Sequence, residues 1–172
     1  MRRFELATKE IEINDKKEVV AQYPQAKLPE YATKHSAGAD FFCAEKVVIP
    51  PTDVKRADTS LEFSAKPTLV HTGIKASMEE NEVLLLFNRS GNPAKLGLVL
   101  ANGVGVIDAD YYGNVSNDGE IMFAFYNFGD KPVTLEVGDK LGQGVFTTFL
   151  HPDNAVIKDT ERAGGFGHTG NR

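Results

Sequence analysis

Ile121-Met122-Phe123-Ala124-Phe125-Tyr126 decides the class of this fold. Side chains of a strand alternate between its two faces, so Ile121, Phe123 and Phe125 point one way and Met122, Ala124 and Tyr126 the other. Both sets are apolar. A surface strand of a monomer would leave one set in water, so the segment belongs inside a sandwich or at an interface between subunits.

Similar runs lie on either side. Residues 46–49, 68–74, 83–87, 97–101, 119–127, 133–137 and 141–150 are short and rich in Val, Ile, Phe and Thr, which suit a pleated, half-buried surface. Turn chemistry separates them at Pro50-Pro51-Thr52-Asp53, Asn117-Asp118-Gly119, Phe128-Gly129-Asp130-Lys131-Pro132 and Val137-Gly138-Asp139. Many short strands between such turns predict an all-β sandwich or barrel. Residues 28–34 lack an apolar helical face, and 90–96 suit one or two helical turns with Pro93 near the start. No strand–helix–strand repeat supports a Rossmann-like sheet. The polar, weakly patterned stretch 56–66 reads as a surface insertion between two strands. The chain therefore divides into a β domain over 1–150 and an arm over 151–172.

Composition narrows the function. The chain has 172 residues, 41% hydrophobic and 25% charged, which suits one globular domain and neither a membrane protein nor a disordered one. Nineteen Lys and Arg against 24 Asp and Glu leave a net charge of -5, which disfavours long nucleic acids because their binding rests on neutralising phosphates. Cys43 is the one cysteine, so there is no internal disulfide and no zinc spacing. No apolar run approaches the roughly 20 residues that cross a bilayer, and no apolar leader is visible, so a soluble, cytoplasmic protein with no membrane partner is expected.

Four segments of the domain and the arm could carry chemistry. Asn88-Arg89-Ser90-Gly91 combines a guanidinium, a hydroxyl and exposed amides at a possible helix start, the makings of an anion site, although Arg-Ser-Gly is common in turns. In Val106-Ile107-Asp108-Ala109-Asp110-Tyr111-Tyr112-Gly113 the two acids would share a side of an extended segment. Asp108 follows an apolar pair and so lies at the edge of a buried region, where a carboxylate can act as general base on water; carboxylates and water also suit magnesium. An ordinary Asp-rich turn explains the same residues. Gln143 sits between Gly142 and Gly144, which would let a ligand approach the backbone, and a glycine bulge explains them equally. In Ser36-Ala37-Gly38-Ala39-Asp40-Phe41-Phe42, Asp40 suits a structural acid or an outer ligand of a metal. The arm carries four glycines among residues 162–170 around a lone Phe166. That composition cannot hold a helix or strand alone and suits a lid whose aromatic stacks on a ligand while its amides wrap phosphates.

In order and spacing, Ala37-Gly38-Ala39-Asp40, Arg89-Ser90-Gly91, residues 102–113, residues 138–146 and Gly164-Gly165-Phe166-Gly167-His168-Thr169-Gly170 resemble the five motifs of the trimeric dUTPase family. The resemblance implies an all-β, jelly-roll-like subunit in a homotrimer, with each active site shared between chains. It implies magnesium-assisted hydrolysis of dUTP to dUMP and pyrophosphate. Asp108 matches the family's general base, which activates the water that attacks the α-phosphate. Tyr111 matches the aromatic under the deoxyribose, which leaves no room for a 2′-hydroxyl. Asn102, with Gly105, Val106 and Ile107, matches a hairpin that reads uracil. Arg89, Ser90, Gly91 and Gln143 match phosphate contacts, and Asp40 the acid that supports hydrated magnesium through water. Arg162, Phe166, Gly167, His168 and Thr169 match the closing tail.

The sequence departs from the family pattern at Ala39, where a larger residue is usual, at Asn92-Pro93 in place of Leu-Ala, and in the single Ala163 before Gly164. Two alternatives stay open. One is a dCTP deaminase, or a bifunctional enzyme, of the same superfamily. The other is a regulatory module of this fold that binds a protein through 56–66.

Overall fold

A computed structural model describes residues 1–52, 54–57, 60–63, 66–158 and 160, with the backbone alone for 54–57 and 60–63. The strands in chain order are β1 (Arg3–Leu6), β2 (Thr8–Ile13), β3 (Lys16–Ala21), β4 (Glu30–Tyr31), β5 (Ala39–Phe42), β6 (Val47–Ile49), β7 (Val54–Ala57), β8 (Ser60–Phe63), β9 (Thr68–Ser77), β10 (Glu82–Asn88), β11 (Leu98–Leu100), β12 (Gly105–Asp108), β13 (Ile121–Asn127), β14 (Val133–Leu135) and β15 (Lys140–Thr148). Helix is limited to a π-helical turn at Asn92–Leu96 and a 3₁₀ turn at Ala109–Tyr111 among the described residues. The all-β expectation holds. Among the described residues no helix is long and apolar enough to cross a membrane.

Two sheets face each other. One runs β1-β9-β13-β11 and the other β12-β10-β15-β5-β4. Phe123 and Phe125 from β13, Ile74 and Val70 from β9, and Leu98 and Leu100 from β11 meet Phe41 of β5, Leu84 and Leu86 of β10 and Leu141 of β15 in one core. Strand β13 alternates as its sequence predicts: Ile121, Phe123 and Phe125 are buried, and Met122, Ala124 and Tyr126 are half-buried on the opposite face. Burying three large side chains of this kind contributes about 1.5–3 kcal/mol each.

The glycines of β15 are set by this packing. A Cβ on Gly142 would lie 2.1 Å from Phe123 Cε1, and one on Gly144 would lie 2.6 Å from Phe41 Cε2. Both face the core, so the two glycines admit aromatic rings of the opposite sheet and neighbouring strand. Core packing accounts for both, and the β15–β5 register shifts between Lys140 and Gly142, in line with the glycine-bulge reading. Gln143, between them, points to the outer face.

Strands β1 to β3 escaped the sequence reading, because their charged and apolar residues alternate over a segment without a strong apolar run. Strands β2 and β3 form a separate hairpin, and β1 pairs antiparallel with β9. Of stretch 56–66, residues 58, 59, 64 and 65 lie outside the described residues, and 56–57 and 60–63 fall on β7 and β8, which pair antiparallel as a two-stranded sheet between β6 and β9 in chain order.

Candidate active site

The outer face of the five-stranded sheet carries the predicted chemistry. Register places Asp108 opposite Val83, at one end of β10, and Gln143 opposite Phe87, toward the other end. Asp40 of β5 stands opposite Gln143. By alternation Asp108, Val106, Leu85, Val145, Gln143 and Asp40 share this face, with Ile107 and Gly105 turned to the core.

One group of predicted residues comes together at a corner. The buried Asp40 carboxylate accepts from Lys140 Nζ at 2.6 Å and Gln143 Nε2 at 3.2 Å, with Arg89 Nε 3.8 Å away. Burial pushes its pKa up, but hydrogen bonds from Lys140 and Gln143 and the charges of Lys140 and Arg89 outweigh this and hold it below the usual range. Gly38 makes room for Gln143, since a Cβ there would lie 3.1 Å from Gln143 Cβ. Beyond Arg89, Ser90 and Gly91 lead into the π-helical turn with Pro93 in its first turn, as the sequence predicts. Asn92 is buried and ties the turn down, donating to Leu141 O at 2.6 Å and Asn88 Oδ1 at 2.7 Å. Gly91 has an ordinary φ of -73° and nothing within 4 Å of a Cβ placed on it. Nothing within the described chain requires glycine there. Sequence reasoning missed Lys140, because its link to Asp40 exists only once the β5–β15 register is known.

A second group lies apart. Asp108 ends β12 and is exposed at a cavity of about 600 Å³ lined by Met78, Glu80, Ala109, Asp110 and Phe149. Asp110 is not on a continuous strand with Asp108, as expected from spacing; the chain turns into the 3₁₀ helix between them. This turn buries Tyr111, whose Oη donates to Glu120 O at 2.9 Å and accepts from Asn117 Nδ2 at 2.9 Å. Gly119, at φ +79°, is required beside it: a Cβ would sit 2.6 Å from Tyr111 O.

Asn102 lies in a tight turn where Gly103 N donates to Leu100 O at 3.1 Å and Val104 N to Asn102 O at 2.7 Å. β11 pairs with β13 and β12 with β10, so the turn carries the chain between sheets, where the resemblance implies a hairpin. Val106 is 59% exposed on the outer face, while Ile107 is half-buried and packs against the core. Arg162, Phe166, Gly167, His168 and Thr169 lie outside the described residues.

The two groups do not meet within one chain. From Val83 to Phe87 is four residues, about 13 Å along β10, and Asp108 and Gln143 are two strand spacings of about 4.8 Å apart across the sheet. Between them lie Leu85, Val145 and the exposed Val106, an apolar strip.

The fold of two facing β sheets is shared with known proteins. The dUTPase family model matches residues 24–170. The deoxyuridine 5'-triphosphate nucleotidohydrolase of Lactococcus lactis is 44% identical over 156 residues, 89% of this chain and 95% of the relative. A crystal structure of dUTPase from Streptococcus mutans superposes with a TM-score of 0.67 at 41% identity, covering 88% of this chain and 98% of the other. The dUTPase of phage phi11 of S. aureus has the same fold, with a TM-score of 0.65 at 22% identity over 94% of this chain and 98% of the other. The chain belongs to the dUTPase family. Strands β1 to β3 precede the residues that the family model matches.

Proposed function

We propose that the protein hydrolyses dUTP to dUMP and pyrophosphate, with Asp108 as general base on the water that attacks the α-phosphate. The observation that carries the reading is the joining of Asp40, Arg89 and Gln143, from three distant segments, into one charged corner. In-line displacement at phosphorus needs positioning and charge neutralisation more than covalent chemistry. Arg89, Ser90, Gln143 and the backbone at the unfilled Gly91 are suited to hold phosphates. Tyr111, held rigid from below, is suited to pack under the deoxyribose, and the turn at Asn102 to meet the base. Arg162, Phe166, Gly167, His168 and Thr169 close the site as a lid, and deletion of 162–172 is expected to remove most activity and leave the fold intact.

The donors on this face fit magnesium only in its outer shell. Among the described residues no group of three or more His, Cys, Asp or Glu can hold a metal. Magnesium commonly keeps several waters and takes substrate phosphates as ligands. Asp40 is anionic, and its two oxygens retain acceptor sites beyond those used by Lys140 and Gln143, so it would hold the ion through water. Bound there, magnesium would neutralise the triphosphate.

The separation of Asp108 from the corner, and the apolar strip between, favour a homotrimer in which one chain's Asp108 completes another chain's corner. Mixing Asp108→Asn and Arg89→Ala chains is expected to restore activity that neither has alone; no recovery would break the shared site. The particle is expected at three times 18.8 kDa. A free deoxynucleotide substrate is compatible with the cytoplasmic location expected from the sequence. The decisive test is pyrophosphate release from a panel of deoxynucleoside triphosphates with magnesium, expected from dUTP alone. Ammonia release from dCTP would favour the deaminase instead. Capture of a protein that depends on 56–66 would add a regulatory partner.

A further inference from the structure

A bulge in the other sheet reaches Tyr111. Pairing of β13 with β9 shifts register between Ile121, opposite Ile74, and Met122, opposite His71. The extra residues on β9 are Thr72 and Gly73. Gly73 takes φ +66°, and a Cβ there would lie 2.7 Å from Ala26 Cβ and 3.1 Å from Tyr23 Cβ. The bulge takes Gly73 N–H out of the ladder, and the Glu120 carboxylate caps it at 3.0 Å. His71 Nδ1 meets the same carboxylate at 3.0 Å. Thr72 Oγ1 closes the bulge by donating to Ile121 O at 2.6 Å.

Glu120 therefore faces two ways. Its buried carboxylate is fixed by Gly73 and His71, while its carbonyl accepts the Tyr111 hydroxyl and, at 3.2 Å, Asn117 Nδ2. Movement of the Glu120 backbone is movement of the Tyr111 anchor. The titratable groups that face His71 among the described residues are Glu120, Glu45, whose Oε1 is 3.9 Å from Nε2, and Tyr23, whose ring stacks on the imidazole with centroids 5.1 Å apart. The hydrogen bond to Glu120 raises the His71 pKa, burial lowers it, and the charges of Glu120 and Glu45 leave it above its ordinary value. Tyr23, pushed up to about 12 by burial and then by Glu120 and Glu45, stays neutral.

We propose that Glu120 and His71 are positioning residues for Tyr111, and that the bulge they fill sets how strictly the site refuses a ribose 2′-hydroxyl. The proposal rests on the reading that Tyr111 packs under the sugar. Protonated His71 holds Glu120 by charge as well as by hydrogen bond; once neutral, it holds it less firmly. Selectivity for dUTP over UTP is then greatest at acid pH and falls as pH rises through the His71 pKa.

The test is the ratio of kcat/KM for dUTP and UTP between pH 6 and 9, in the full chain with magnesium. Both substrates carry the same titrating triphosphate, so its ionisation cancels in the ratio. In the unmodified protein the ratio is expected to fall with pH. In His71→Gln it is expected to be lowered about fivefold to tenfold at pH 6, through KM more than kcat, and to be flat with pH. Tyr111→Phe keeps the ring but removes the hydroxyl anchor, so it should reproduce the loss, and the double variant should be no worse than either. His71→Lys keeps a fixed cation and should restore the ratio without its pH dependence; it also serves if His71→Gln does not fold. An unchanged ratio and pH profile in His71→Gln overturns the proposal. Tyr111→Ala separates the two layers of reasoning. If it collapses selectivity while His71→Gln does not, the positioning role alone fails; if it leaves selectivity unchanged, the reading of Tyr111 itself fails.

Discussion

The Asp40 corner and the cradle beneath Tyr111 are each built around a buried carboxylate, and each answers it with a different cation. Asp40 meets Lys140 and Arg89. Glu120 meets His71 and a backbone N–H. The difference teaches what each region is suited to do. In the proposed reaction the corner receives phosphates and must stay organised at any working pH, whereas a support under an uncharged sugar can rest on a group that titrates. The two regions thus respond to pH with opposite signs.

The largest expected effect comes from the residue that stands apart from both. Asp108→Asn is expected to lower kcat by about 10²–10⁴-fold, with dUTP affinity largely kept, because the proposed general-base assistance is lost while the binding groups remain. Single-turnover kinetics with isothermal titration would check it. If kcat moved no more than twofold, both regions would be serving some other chemistry.

Removing the partner nearest Asp40 comes next. Lys140→Met leaves Asp40 buried without its nearest partner, and a loss of about 2 kcal/mol in urea unfolding at pH 7 is expected, less than for a fully buried pair because Lys140 is partly in water. KM for dUTP should rise as well.

The pH dependence of stability follows from the same pairs. Asp40 is held below its unfolded pKa of about 3.9, so its contribution is present above that pH and is lost as pH falls through the lowered folded value. His71 is raised, so its contribution is complete below about pH 6.5 and is lost as pH rises through the raised folded value. Denaturation midpoints measured from pH 2 to 9 should therefore lose part of their acid slope in Lys140→Met and part of their alkaline slope in His71→Gln. Interchanged effects would refute the comparison.

The smallest effect tests the outer edge of the cradle. Asp118, at φ +58°, accepts from Thr8 N and Oγ1 at 2.8 Å and from Lys75 Nζ at 2.7 Å, which pins the start of β2 to the loop before β13. Asp118→Ala is expected to cost about 1–2 kcal/mol, with a modest fall in selectivity, readable by thermal melts and the same dUTP-to-UTP ratio.

Much of this was legible along the chain. The runs at 68–74, 83–87 and 133–137 became β9, β10 and β14, because turn residues and period-two patterns are local signals. Gly38 belongs to the motif of Asp40 and Gln143 matches a phosphate contact, and both stand at the Asp40 corner. The roles of Gly142 and Gly144 were not legible, since only the opposing sheet shows that aromatic rings take their space. Strands β1 to β3 carry too many charged residues to stand out alone, and their partners are far away in the chain.

By itself, the sequence determined that this protein is all β and that it holds Arg89, Asp108, Tyr111 and Gln143 in the order of a dUTPase. Those features depend on residue type and short spacing. Tertiary structure alone decided that Lys140 guards Asp40, that Asp108 lies apart from that corner, and that Glu120 and His71 fill a bulge beneath Tyr111. Each depends on strand register, and register joins residues tens of positions apart through packing that no local pattern records.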